Sequence, residues 1–170
     1  MTNNMTRSQW WQNFSLGTEL HVAGSFIYNG LRQFHNLENL DQEEEVFETL
    51  YQLSVGFERL LKVAVVLLEH DDTVDQKRFE ESLKTHFHHQ LLDRIKKKYR
   101  VPFDRPHNGF LAMLGKFYDG CRYDRYLATS VAPVSREIKE LETYLGAQQN
   151  LEIERGYFNK AIVVAPEMVV

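Results

Sequence analysis

VFETLYQLSVGFERLLKVAVVLLE, running from Val46 to Glu69, is the stretch whose reading decides the fold. Its apolar residues Val46, Leu50, Leu53, Phe57, Leu60, Ala64 and Leu67 recur in steps of four and three, which keeps one stripe of a helix facing inward. A strand has no use for that spacing. A second stripe through Phe47, Tyr51, Leu61, Val65 and Leu68 widens the buried face, while Glu48, Gln52, Arg59 and Lys62 hold much of the other side. Such a helix needs partners on two sides. Ser54 and Gly56 reduce the bulk near its middle, where another helix can approach closely.

Working outward, the 170 residues, 43% of them hydrophobic, suit one domain with a core large enough to need no staples. The 20 Lys plus Arg against 24 Asp plus Glu leave a net charge of -4, so any contact with nucleic acid must use a local basic patch. Cys121, the one cysteine, cannot form an internal disulfide, which points to a reducing compartment and a cytoplasmic location. The polar start MTNNMTRSQWWQ lacks an apolar run of signal-peptide type, and Val63 to Leu68 is too short to span a bilayer. The expectation is a soluble protein without membrane partners.

Before the organising helix, Leu16, Leu20, Ala23, Ile27, Leu31 and Phe34 predict a first helix from Ser15 to about Asn36 or Glu38, with Trp10, Trp11 and Phe14 lying against the bundle. Gly24 and Gly30 weaken its propensity and permit close packing. Asp41 with Glu44, and Thr73 with Gln76, have the spacing of capping boxes for the second and third helices. The third helix would carry Phe79, Leu83, Phe87, Leu91, Ile95 and Tyr99 and end in the basic run Lys96 to Arg100. Pro102 and Pro106 make Val101 to Pro106 a loop. A fourth helix from His107 or Asn108 turns Phe110, Leu111, Leu114, Phe117, Tyr118 and Cys121 inward and continues through Leu127. Ala128 to Pro133 reads as a connection, Ile138 to Leu145 as a shorter fifth helix ending before Gly146, and Asn150 to Lys160 as a further addition. The apolar tail AIVVAPEMVV covers the bundle, pairs with another chain or stays disordered. The fold expected is therefore all-α, an up-and-down bundle of four long helices with a smaller helical C-terminal addition. It is a single domain over 1–170, with its core at about 15–127 and its extension at 128–170.

Three groups bear chemistry. His86, His88 and His89, with Asp93 a turn further, allow a metal site to be imagined, but no complete ligand set is identifiable and a hydrogen-bonded or solvated cluster is the plainer explanation. No histidine follows a glutamate by three positions, which excludes a ferritin-like di-iron centre. In KFYDGCRYDRY, Tyr118, Arg122 and Tyr126 stack at four-residue steps, with Cys121 and Arg125 beside them. Arginine grips phosphate and tyrosine stacks on bases, so this group suits RNA or a nucleotide. Capping of a bundle end is the plainer alternative. From Arg94 to Arg125, nine positive residues including Lys97 stand against Asp93, Asp104, Asp119 and Asp124. Arg100 and His107 flank the loop there, where a histidine can move a proton and an arginine steady a phosphorane. Glycine-rich phosphate loops, His-Glu-x-x-His and a nucleophile elbow are all missing, and no metal or other cofactor is expected.

SVGFERLLKVAVVLLEH, FEESLKTHFHHQLLDRI and FLAMLGKFYDGCRYDRY together resemble the element order of HEPN domains, and GFERLLK is similar to the Gly-x-Glu-x-Leu-Leu-Lys of many relatives. The resemblance covers about Ser15 to Leu127. It implies a helical bundle, often homodimeric, from a superfamily of prokaryotic defence and toxin-antitoxin ribonucleases and noncatalytic binders of nucleic acid or nucleotide. Catalytic members carry Arg, four to six residues, then His. Arg100 and His107 match that count as phosphate clamp and proton-transfer group, although Pro102 and Pro106 put them on a loop. The RNA- or nucleotide-binding residues are then Arg122, Tyr123, Arg125, Tyr126 and Lys97. The alternative is a noncatalytic subunit that packs on a protein partner.

Overall fold

The computed structural model describes residues 5–128 and 134–155, with side chains as far as residue 149. Among these every regular element is helical: α1 (Arg7–Trp10), α2 (Leu16–Asn36), α3 (Glu43–Glu69), α4 (Gln76–Ser82), α5 (His88–Lys96), α6 (Arg105–Lys116), α7 (Arg122–Asp124) and α8 (Arg136–Arg155). Wider π-turns, Trp11–Ser15 and Phe117–Cys121, join α1 to α2 and α6 to α7. None of the helices is long and apolar enough to cross a membrane.

The bundle is organised around α3. One flank, with Leu53, packs on α2, while Leu50, Leu61 and Val65 join Leu91, Leu92, Leu111, Leu114 and Phe117 in the core on the other. Ile138 and Leu141 bring α8 into the same core. Two glycines set the α2–α3 crossing. A Cβ on Gly56 would stand 2.9 Å from the Ile27 backbone nitrogen, and one on Gly30 would stand 2.7 Å from Leu53 Cγ. No Cβ fits at such distances, so each glycine lets the helix opposite it approach, Gly56 at Ile27 and Gly30 at Leu53.

The structure alters several local expectations. Asp41 does not cap α3: its N–H bonds Asn39 Oδ1, and the N-cap is Gln42 with no side-chain bond. Glu43, Glu44 and Glu45 still favour the positive end of that helix. Asp75, not Thr73, caps α4 by accepting from the Arg78 N–H. The third helix is two helices, because Thr85 Oγ1 takes the Phe87 N–H and the chain turns so that His86 and His88 both reach α3. Phe87 and Tyr99 consequently lie exposed.

Helix α6 starts two residues before the expected point, capped by Asp104, with Pro106 in the first turn where no N–H is required. On α2 the inward residues are Leu16, Ala23 and Gly30, and Leu20 and Leu31 face outward. Leu67 likewise faces outward on α3. Trp11 packs edge-on against His70, but Trp10 and Phe14 pair with each other at the surface. Helix α8 passes through Gly146 to Arg155. The connection at 129–133 and the tail AIVVAPEMVV lie outside the described residues, as does the end of the Asn150 to Lys160 segment.

Gly56→Ala should lower stability by about 1–3 kcal/mol through overpacking, more than the ~1 kcal/mol that alanine contributes in helix propensity. Gly24→Ala, at a site with nothing within 4 Å, should raise it. Urea unfolding of both variants checks the pair.

Candidate functional site

Phe47, Tyr51, Val55, Glu58 and Lys62 follow one another along a single face of α3 at helical spacing, and this face floors a groove. Beside its lower half is a cavity of about 410 Å3 lined by Trp11, Glu19, Glu58, Arg59, Lys62, His86 and Tyr118 among others. The Glu58 side chain is 9% exposed, and its carboxylate holds Lys62 Nζ at 2.5 Å and His86 Nδ1 at 3.1 Å. A carboxylate only accepts, so Nδ1 carries the proton in that bond and Nε2 is the basic nitrogen of neutral His86. The His86 ring lies 5.3 Å from that of Tyr118.

Tyr118 is set there by the π-turn, whose extra residue per turn buries Phe117, Tyr118 and Cys121 together. Burial and then the charge of Glu58 push the Tyr118 phenol up, with Arg122 opposing them. The Arg122 guanidinium lies 3.7 Å over the Tyr118 ring and 4.5 Å from Tyr123, and its Nε is buried without a hydrogen bond among the described residues. Tyr118 thus touches both the Arg122 guanidinium and the His86 ring. A lysine on a buried carboxylate, an imidazole oriented by that carboxylate and an arginine packed on tyrosine are groups that can bind a phosphate and move a proton.

His88 has a different task. It is 1% exposed and its Nε2 donates to the Ser54 carbonyl at 2.9 Å, while the Ser54 hydroxyl donates to the Leu114 carbonyl. Burial lowers its pKa below 6.5, which keeps it neutral. Cys121 is also buried, and its thiol is pushed up to about 11, too high for a nucleophile at neutral pH. Among the described residues no group of three or more His, Cys, Asp and Glu is arranged to hold a metal. His86 and His88 reach different parts of α3.

The residues singled out from the sequence fall into two places. His107 sits in the first turn of α6, stacked on Phe103, with Nδ1 2.6 Å from Asp104 Oδ1. Arg100 and Lys97 belong to an open basic surface running from Lys96 to Val101. Arg122 is fifteen residues beyond His107 along one nearly continuous helical run, about 22 Å away at 1.5 Å per residue. The structure therefore does not gather Arg100, His107, Arg122 and Arg125 in one cleft. Arg125 is occupied by Glu137 at 2.8 Å and Glu43 at 3.6 Å, with its guanidinium over Phe47. Tyr123 and Tyr126 are exposed next to it.

Sequence reasoning missed Glu58 and the role of His86, which are 28 positions apart. One signal was there: Glu58 is the only acid between Glu48 and Glu69, in the most apolar part of α3. Comparison with family models, with curated proteins and with solved structures finds no match for the chain.

The neutral, buried His88 makes a pH prediction. Because its folded pKa lies below its unfolded one, the unfolded chain binds a proton in the interval between them that the folded chain does not. Stability should fall as pH drops below 6.5. Urea unfolding at a series of pH values, compared with His88→Gln, should show a shallower dependence in the variant.

Proposed function

We propose that the protein binds RNA or a nucleotide along the α3 groove and cleaves RNA without a metal, with His86 moving the proton. The observation that carries this reading is the hydrogen bond from His86 to the buried carboxylate of Glu58, with Lys62 on the same carboxylate and Arg122 on the ring of Tyr118, which lines the same cavity. The resemblance of the α3, α5 and α6 segments to HEPN domains supports RNA as the phosphate-bearing ligand.

In this reading the 2'-hydroxyl of the substrate is the nucleophile. His86 Nε2 takes its proton as the O2'–P bond forms, and the imidazolium returns a proton to the O5' oxygen as the P–O5' bond breaks. Glu58 orients the ring and stabilises the imidazolium, in the manner of a carboxylate behind a catalytic histidine. Arg122 and Lys62 offset charge on the phosphorane. His107 on Asp104 is a second carboxylate–histidine pair among the described residues, and with Arg100 it is the site the sequence count favours. Its bond is local, between an exposed N-cap and its own first turn, which supports it less than a non-local bond inside a cavity.

A second reading, a noncatalytic subunit docking on a protein or on a second copy of the chain, is favoured by Leu20, Tyr28 and Leu31, which are exposed on α2. The two readings differ in their response to salt. RNA affinity should fall steeply between about 50 and 200 mM salt, whereas an apolar interface should change little.

Purified protein should cut single-stranded RNA in the presence of a chelator, and His86→Ala should reduce the rate about 100-fold or more. Glu58→Gln should retain part of the activity. Loss of cleavage in His107→Ala with full activity in His86→Ala would move the chemistry to the loop. No cleavage by any form, with salt-insensitive association, would leave the interaction reading.

A further inference from the structure

Further along the same face of α3, beyond Val55, the groove opens into a hollow of about 400 Å3 between α2 and α3. Its walls are the rings of Phe26, Phe47 and Tyr51, and its polar groups include Glu48, Gln52 and Asn29. Phe47 and Tyr51 are parallel and stacked, 8° apart with centroids at 6.2 Å, and Tyr51, 39% exposed, is the more open ring of the two. Flat aromatic walls at the surface suit a flat ligand.

The polar groups define which one. Gln52 Oε1 is buried and has no hydrogen-bond partner among the described residues, an acceptor without its donor. Glu48 receives Gln33 Nε2 on Oε2 at 3.0 Å, which leaves its other oxygen open. The hollow thus offers the exposed Glu48 carboxylate to a ligand that brings donors, with the unsatisfied Gln52 oxygen covered beside it and uncovered by a turn of its amide.

Among the four RNA bases, guanine alone presents two adjacent donors, N1–H and the 2-amino group, on its pairing edge. Adenine and cytosine set a ring acceptor beside their amino group, and uracil flanks its single N–H with carbonyls. A carboxylate matches the first arrangement and is repelled by the others.

We infer that the hollow beside Tyr51 is a subsite for an unpaired guanine base, stacked on the exposed Tyr51 ring and held by its donor edge on Glu48 and Gln52. The inference rests on the reading of this groove as a binder of RNA or a nucleotide, and it names the base. The pairing edge must be free, so a guanine in a duplex is excluded. The subsite also joins the proton-transfer cleft through the rings. Tyr51 is 6.3 Å from Tyr118, and Tyr118 is 5.3 Å from His86, so a seated guanine carries a neighbouring phosphodiester toward Arg122 and His86.

Calorimetric titration with GMP, IMP and AMP tests the edge, since IMP lacks only the 2-amino group. GMP should bind, IMP about tenfold more weakly, and AMP more weakly still. Glu48→Gln should remove the advantage of GMP over AMP. Tyr51→Ala should weaken GMP binding and Tyr51→Phe should keep it, with unchanged melting temperatures showing that the variants fold. Equal affinities for GMP and AMP, a preference that survives Glu48→Gln, or no GMP binding at millimolar concentration would each overturn the subsite.

A single-stranded oligonucleotide with one guanine, free and annealed to its complement, separates the two sources of the base. Binding of the free strand more tightly than GMP supports RNA, and GMP binding alone supports a free nucleotide. Guanine binding without RNA cleavage would keep the subsite and remove the cleavage proposal. Cleavage indifferent to guanine would do the reverse.

Discussion

The contact between α2 and α3 at Gly30 and Gly56 is the constraint on which the rest of the molecule depends. With the Ile27 backbone against Gly56 and the Leu53 side chain against Gly30, both closer than a Cβ would allow, the two longest described helices cannot slide or rotate independently without a clash. That fixed register sets Glu19 opposite Arg59, where they form an ion pair at 2.5 Å, and Gln33 opposite Glu48. It also fixes which residues of α3 are left for the other partners. Glu58 and Tyr51 remain on the groove face, and Ser54 turns toward α5 and α6.

Polar contacts to the other side of α3 follow from that register. His88 is inserted at Ser54 and His86 at Glu58, a spacing of four residues on α3 bridged by two residues on the partner segment. A continuous helix cannot present residues two apart on one face. The break between α4 and α5 is therefore what lets both histidines reach α3. Its cost is the exposure of Phe87 and the loss of a turn of helix, and Arg94 helps offset it by gripping Glu69 and the Ser82 carbonyl across the gap. The hydrogen bond to Arg94 holds the Glu69 carboxyl below its ordinary range.

The arginines are similarly divided. Arg94, Arg125 and Arg136 are each held by a carboxylate, Glu69, Glu137 and Asp124 respectively, and serve as ties between helices. Arg122 lies instead against two tyrosine rings, so its charge is balanced by π-faces and remains available to an anion.

The sequence by itself determined the all-helical class, the extent of α3, the small residue at Gly56 and the approximate positions of α2, α6 and α8, because helical period and glycine placement are local properties. It also picked out Arg122 and Tyr118 as neighbours, since residues four apart on a helix meet whatever surrounds them. Only the tertiary structure decided that Glu58 faces His86, that the third helix breaks, and that Arg125 is tied while Arg122 is not. Those outcomes depend on which helix lies across from which residue, and that register comes from a backbone contact whose consequences for side chains tens of positions away leave no local pattern in the chain.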